Sequence, residues 1–187
     1  MSADTFCFQP TLSGPTLAVR PLRQSDFSQM FACAADKEIW QGHPAKDRYK
    51  KDVFALTFAD ALASNACVVI SEIDSAKLIG WSRYYVAEDG PNDISIGFTF
   101  LVKEHWGGKS NREVKMLMLN YAFKFFERVW FHIAPSNYRS QKATQKLGAL
   151  LIQEGMLQLA GKTGLWQSYA IDRQQWSDSD LCLRNIT

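Results

Sequence analysis

Short cysteine and histidine pairings are missing from this chain, and with them the usual grounds for a metal site. Cys7, Cys33, Cys67 and Cys182 are scattered without a C-x-x-C spacing, and His43, His105 and His132 are equally dispersed. A zinc site usually draws two of its ligands from one local segment, so no metal is expected. The four thiols then read as reduced cysteines of a cytoplasmic protein. No apolar run approaches the roughly 18 residues that a membrane span requires. Met1–Gln9 lacks a basic stretch followed by a long apolar one, so neither a membrane nor a secretory signal is expected. An excess of one charge is missing as well. Twenty-one Lys and Arg face 19 Asp and Glu, a formal charge of +2, which gives no support to a nucleic-acid surface. Repeats, low-complexity tracts and long linkers are absent too. The expectation is a single domain over residues 1–187, with an irregular arm at 1–15 and a tail at 177–187.

What is present is a large apolar supply. The hydrophobic fraction is 47% and the aromatic fraction 13%, enough to fill a core in a chain of 187 residues. Its periodicity changes along the chain. Thr16–Pro21 alternates as a strand. Helical spacing predicts one helix over Asp26–Ala35, from Phe27, Met30, Phe31 and Ala34, and a second over Asp47–Asn65. Three strands follow, Ala66–Ile73, Lys77–Val86 and Asn92–Val102. In the last, Ile94, Ile96, Phe98, Phe100 and Val102 share one face by strict alternation. Val114, Leu117, Met118, Tyr121, Ala122 and Phe125 then define a long amphipathic helix. A short strand at Arg128–Ile133, a helix at Asn137–Leu147 and a strand pair at Ala149–Leu157 and Leu165–Ile171 complete the order β-α-α-β-β-β-α-β-α-β-β.

Two segments carry chemistry. His105-Trp106-Gly107-Gly108-Lys109-Ser110-Asn111-Arg112-Glu113 joins a strand to the best helix. Two glycines allow close backbone approach, and the helix start offers free N–H groups and a positive dipole end, the physical recipe for a phosphate. The competing account is a glycine turn with a capping box, Ser110 with Glu113. A nucleotide P-loop is excluded, because the glycine its pattern needs before Gly108-Lys109-Ser110 is Lys103. The second segment runs from Pro135 to Ala149. There Ser136 or Asn137 could cap a helix that Gly148 ends. Alternatively, Asn137 could offer its amide to a ligand, with Ser140 one turn in and Arg139 and Lys142 adding positive charge.

In order and spacing, these segments resemble the GNAT superfamily of acetyltransferases, and most of all its branch of ribosomal-protein N-terminal acetyltransferases. The resemblance rests on Ile94-Ser95-Ile96-Gly97-Phe98, Trp106-Gly107-Gly108, Asn137-x-x-Ser140 and Leu147-Gly148-Ala149. Gln153-Glu154-Gly155 and Ile171-Asp172-x-x-x-Trp176 extend it, so that it covers roughly residues 16–176. It implies an α/β fold with a curved mixed, mostly antiparallel sheet flanked by helices, and acetyl-CoA as cosubstrate without a metal. The implied site places pantetheine against the backbone of Leu101 and Val102. The pyrophosphate would lie on the amides of Gly107, Gly108, Lys109, Ser110 and Asn111, with Asn137, Arg139 and Lys142 nearby. Ser140 would hydrogen-bond the departing thiolate, and a primary amine, on a small molecule or a protein N-terminus, would attack directly. A homodimer is compatible with this reading, as is a non-catalytic member that binds acyl-CoA or a partner without turnover. Two departures from the family pattern stand out: Glu104 and Lys109 replace its usual loop residues, and Ser95 stands where many relatives carry an acid. The base that must neutralise the amine is left open among Glu72, Glu104, His105 and His132.

Overall fold

In the computed structural model, which describes residues 5–159 and 161–179, the chain forms one eight-stranded sheet with helices on both faces. The strands are β1 Leu12–Ser13, β2 Leu17–Pro21, β3 Cys67–Glu72, β4 Leu78–Tyr85, β5 Ile94–Leu101, β6 Arg128–Ile133, β7 Leu150–Leu159 and β8 Lys162–Asp172. The helices are α1 Phe27–Ala34, α2 Lys51–Ala63, α3 Ser110–Ala122, α4 Tyr138–Gln145 and α5 Arg173–Ser177. Spatial order is β1-β2-β3-β4-β5-β6-β8-β7. Every neighbouring pair is antiparallel except β5 with β6. This is the mixed, mostly antiparallel sheet that the resemblance implies, with one short strand added at the start and one short helix at the end.

Two apolar clusters sandwich the sheet. Val114, Met118, Leu119 and Ala122 of α3 pack on Tyr84, Ile94, Ile96, Val129, Phe131 and Tyr169. On the opposite face Met30 and Ala34 of α1 and Phe54 and Phe58 of α2 cover Val69, Trp81 and Phe100. Phe54 stacks on Trp81 with ring centroids 5.4 Å apart. Each helix therefore buries one stripe and leaves the other to water, as its spacing requires.

The N-terminal arm is not irregular throughout. Leu12 and Ser13 pair with β2, and the Phe6 ring lies within 5.5 Å of Phe8, Tyr84, Tyr121, Phe125 and Phe126. Of the expected tail, Ser177 closes α5, and 180–187 fall outside the described residues.

The strict alternation read over Asn92–Val102 does not hold. Trp81 faces Phe100 and Arg83 faces Gly97, so two steps on β4 match three on β5. That surplus residue is a β-bulge, and Phe98 sits in it with φ 53°. Before the bulge, Ile94 and Ile96 face α3; after it, Phe100 faces α1 and α2. Phe98 itself leaves both clusters and packs edge-on against Tyr85.

The bulge bends β5 away from its parallel neighbour. β5 and β6 pair only at Ile94–Val129 and Ser95–Trp130. Beyond those rungs the C-terminal half of β5 stays with β4, through Leu101 and Gly80. That of β6 stays with β8, through His132–Ser168 and Ile133–Gln167. The result is a wedge that opens toward the C-terminal ends of both strands.

Candidate functional site

The glycine loop and α4 converge at the mouth of this wedge. After β5 a 3₁₀ turn at Lys103–His105 leads into Trp106, and Gly107 takes φ +67° before α3 begins at Ser110. A side chain added at Gly107 would meet nothing within 4 Å, and at Gly108 only the Trp106 carbonyl at 4.0 Å. The glycines are therefore not required by packing. They leave open space in front of the first turn of α3, whose leading amides have no acceptor within the helix.

The capping box does not form. Lys109 occupies the cap position with no side-chain cap bond. Glu113 turns to β2 instead, accepting from the Thr16 and Leu17 amides, each at 2.8 Å, and from the Thr16 hydroxyl at 2.6 Å. Helix propensity favours a local cap, but three donors at the bare start of a strand offer the carboxylate more. Ser110 Oγ meets His105 Nδ1 at 2.8 Å, and His105 Nε2 meets Glu72 Oε1 at 3.2 Å. Glu72 lies below the usual carboxylate range because the Ser75 hydroxyl donates to it and His105 is close.

At the end of β5 the backbone groups are unequal. The Leu101 carbonyl accepts from the Trp106 indole at 2.8 Å. Val102 donates its N–H to Ile79 at 2.8 Å and accepts from His105 at 3.0 Å. Both Val102 groups and the Leu101 carbonyl are thus committed within the chain. The Leu101 N–H, by contrast, points away from β4, because the Val102–Ile79 bond makes Leu101–Gly80 a non-hydrogen-bonded rung.

From the other side comes the first turn of α4. Asn137 caps the helix, its Oδ1 accepting from the Ser140 amide at 3.2 Å, which leaves its NH₂ group available. Arg139 stacks on the Trp106 ring at 3.8 Å and donates to the Ile39 carbonyl at 3.2 Å. Lys109 and Lys142 are exposed, and Ser140 and Asn111 half-buried. A cleft of about 260 Å³ lies where Trp106, Asn137 and Arg139 meet Glu38 and Gln41. The two sequence segments therefore share one cleft, although about thirty residues separate them.

Sequence reasoning named His132 among the candidate bases but missed the other groups that line the wedge itself. On the α3 side Lys115 is 6% exposed. Its Nζ donates to Thr99 Oγ1 at 2.7 Å and lies 5.8 Å from the Phe131 ring, spanning the gap from β5 to β6. Burial pushes its pKa down to about 7. Its signal was a lysine on the same stripe as Leu119 and Ala122. On the opposite face Tyr85 Oη meets His132 Nδ1 at 2.8 Å, and His132 Nε2 meets Asp89 at 3.0 Å. Asp89 also accepts from Ser168 at 2.8 Å and Gln153 at 3.2 Å. Burial lowers the His132 pKa against the pull of Asp89. Asp89 lies in a loop and had no sequence signal. No group of three or more His, Cys, Asp or Glu that could hold a metal occurs among the described residues. Nor, among them, is any helix long and apolar enough to cross a membrane.

A family model for the acetyltransferase (GNAT) domain matches residues 16–150. Solved structures share the fold. A GCN5-related N-acetyltransferase from Brucella melitensis is 16% identical with a TM-score of 0.75, over 90% of this chain and 80% of that one. RimJ of Mycobacterium smegmatis, in complex with CoA-disulfide, is 16% identical with a TM-score of 0.70, over 93% and 92%. A GNAT-family acetyltransferase from Bacillus anthracis is 14% identical with a TM-score of 0.70, over 88% and 99%. No curated protein matches the chain by sequence.

Proposed function

The chain belongs to the GNAT acetyltransferase family, and on that premise we propose that it moves an acetyl group from acetyl-CoA to a primary amine by direct attack in a ternary complex. The observation that carries the reading is the splay of β5 from β6, with a glycine loop and a helix start at its mouth. Pantetheine lies in the splay against the edge of β5, using Leu101 in preference to Val102. The pyrophosphate rests on the amides of Gly107 to Asn111, which the dipole of the 13-residue α3 reinforces. Arg139 and Lys142 add positive charge beside it. CoA-disulfide bound to RimJ supports a CoA ligand for this fold.

The acetyl group then reaches the bulge of β5. An amide near Leu101 is the donor for the tetrahedral oxyanion, fixed before the reaction by the sheet. The Asn137 NH₂ group holds pantetheine, and Ser140 hydrogen-bonds sulfur as the C–S bond breaks. The acceptor is a small-molecule amine or a protein N-terminus. A CoA-binding chain without turnover is the alternative. Calorimetry on EDTA-treated protein is expected to show one acetyl-CoA site per chain. Release of free CoA across an amine panel then identifies the acceptor. Absence of heat and of any thermal shift at millimolar acetyl-CoA would sink the assignment.

A further inference from the structure

Ser95 sits on β5 at the last rung of the β5–β6 ladder, and its hydroxyl is no base for an ammonium. It is 1% exposed, and its Oγ has no hydrogen-bond partner. Yet an ammonium cannot attack a thioester until it loses a proton. Ser95 is the rung partner of Tyr85 on one side and of Trp130 on the other. Since alternate residues of a strand share a face, His132 lies on that face as well, two rungs past the last β5–β6 pair. Gly97 stands at the matching place on β5, and a side chain there would touch the Tyr85 ring at 2.9 Å. The phenol thus lies directly on the β5 backbone where the bulge begins.

The other candidate bases are elsewhere. Glu104 is exposed in the 3₁₀ turn, and His105 and Glu72 are tied to each other and to Ser110 at the glycine loop.

We propose that Tyr85, His132 and Asp89 form the proton relay for the acceptor amine, with Tyr85 Oη as the atom the ammonium touches. The relay presupposes the acetyl transfer proposed above. The hydrogen bonds set its direction. Asp89 accepts from His132 Nε2–H, which leaves Nδ1 as an acceptor, and the Tyr85 hydroxyl donates to it. Tyr85 Oη then keeps its own lone pairs as the acceptor in the relay. One ammonium proton passes to Tyr85 Oη while the phenolic proton moves to His132 Nδ1. The amine becomes neutral, the phenol stays neutral, and the imidazolium that forms is paired with the Asp89 carboxylate. The amine attacks the thioester carbonyl and the C–S bond breaks. The second nitrogen proton leaves with the CoA thiol, and the imidazolium returns its proton to water by the same route.

The groups that face His132 agree with this. Asp89 comes from the β4–β5 loop, Ser168 from β8 and Tyr85 from β4, while Trp130 stacks on the imidazole at 6.3 Å. Arg83, over the Phe98 ring at 5.0 Å, is a cation that acts on Tyr85. Burial keeps His132 neutral at rest and the Tyr85 hydroxyl protonated.

The test is kcat against pH, with saturating acetyl-CoA and an amine from the panel, for the wild type, His132→Gln and Tyr85→Phe. Acetyl-CoA affinity and melting temperature are measured on each protein. The wild-type rate is expected to fall on the acid side. His132→Gln should lose about a hundredfold in kcat, with acetyl-CoA affinity intact and recovery toward the pKa of the acceptor itself. Tyr85→Phe keeps the His132–Asp89 pair and removes only the contact atom, so it guards against a folding artefact and should lose at least tenfold. A folded variant of either kind that keeps wild-type kcat and the acid limb overturns the relay. So does a chain that binds acetyl-CoA and acetylates no amine. A chain that binds no acetyl-CoA fails at the earlier step, the acetyl transfer itself.

Discussion

Replacing Lys115 by methionine is expected to stabilise the protein at neutral pH. The amine is 6% exposed, and its polar contacts are two hydroxyls, Thr99 at 2.7 Å and Ser82 at 3.4 Å. Burial takes its pKa from 10.5 to about 7. In the unfolded chain the lysine is protonated at pH 7, whereas in the folded protein it is about half protonated. A pKa lowered on folding gives stability that is complete above 10.5 and is lost as the pH falls toward 7. At 1.36 kcal/mol for each tenfold in proton affinity, the loss by pH 7 is about 4 kcal/mol. Methionine has no such proton linkage and about the same length. It forfeits the Thr99 bond and the longer Ser82 contact, about 1–2 kcal/mol together, but Ser82 and Thr99 keep each other at 2.7 Å. The net gain at pH 7 should be about 2 kcal/mol, shrinking to nothing or reversing near pH 10. Urea unfolding of both proteins at pH 7, 8.5 and 10 reads the difference directly, and other alkaline titrations cancel in it. A Lys115→Met protein less stable than wild type at pH 7, or a difference that does not change with pH, would refute the reasoning.

Gly108→Val should leave the melting temperature unchanged, because its Cβ meets only the Trp106 carbonyl at 4.0 Å. It should raise the acetyl-CoA Kd at least tenfold, about 1.4 kcal/mol, by filling the phosphate space. Asn137→Ala should cost about 1 kcal/mol of stability through the lost cap and raise the acetyl-CoA KM. Ser140→Ala should leave binding intact and lower kcat about tenfold, since a thiolate exists only as the bond breaks. Glu113→Ala should destabilise by about 2–3 kcal/mol, with two amides and a hydroxyl of Thr16 and Leu17 stripped of their acceptor. Its kcat per folded molecule should not change, which a urea midpoint and an active-site titration separate.

Most elements were legible because their periods are strong and their neighbours short. β6 spans Arg128–Ile133 as read, and α3 starts within the segment its glycines announce. β1 and α5 escaped because two and five residues carry no period. The β7–β8 turn is tighter than Gly161–Gly164 implied, with β8 already running from Lys162. Cross-strand pairing extends a hairpin further than its residues alone suggest. At the site, the loop and α4 were legible because glycine, asparagine and serine at fixed spacing leave a pattern. Tyr85, Asp89 and His132 converge from a strand, a loop and another strand, and no spacing in one dimension encodes that.

The bulge at Phe98 explains why the central strand misled. Ile94, Ile96, Phe98, Phe100 and Val102 alternate in sequence, and alternation is the ordinary mark of one buried face. A bulge adds a residue without disturbing that pattern, because it inserts a step in space and not in composition. Read geometrically, the extra step does three things at once. It turns Phe100 toward Trp40 and Trp81 on the α1–α2 side, with ring centroids 5.1 and 5.2 Å away, which closes that cluster. It releases Phe98 from the core to carry Arg83 on one side and Tyr85 on the other. It also ends the β5–β6 ladder at its second rung, leaving Thr99 and Lys115 on one face of the gap and Tyr85 and His132 on the other. A bulge held at positive φ by a non-glycine residue is strained. Packing on both sides of Phe98 holds that strain, so the wedge is fixed in the fold before any ligand arrives.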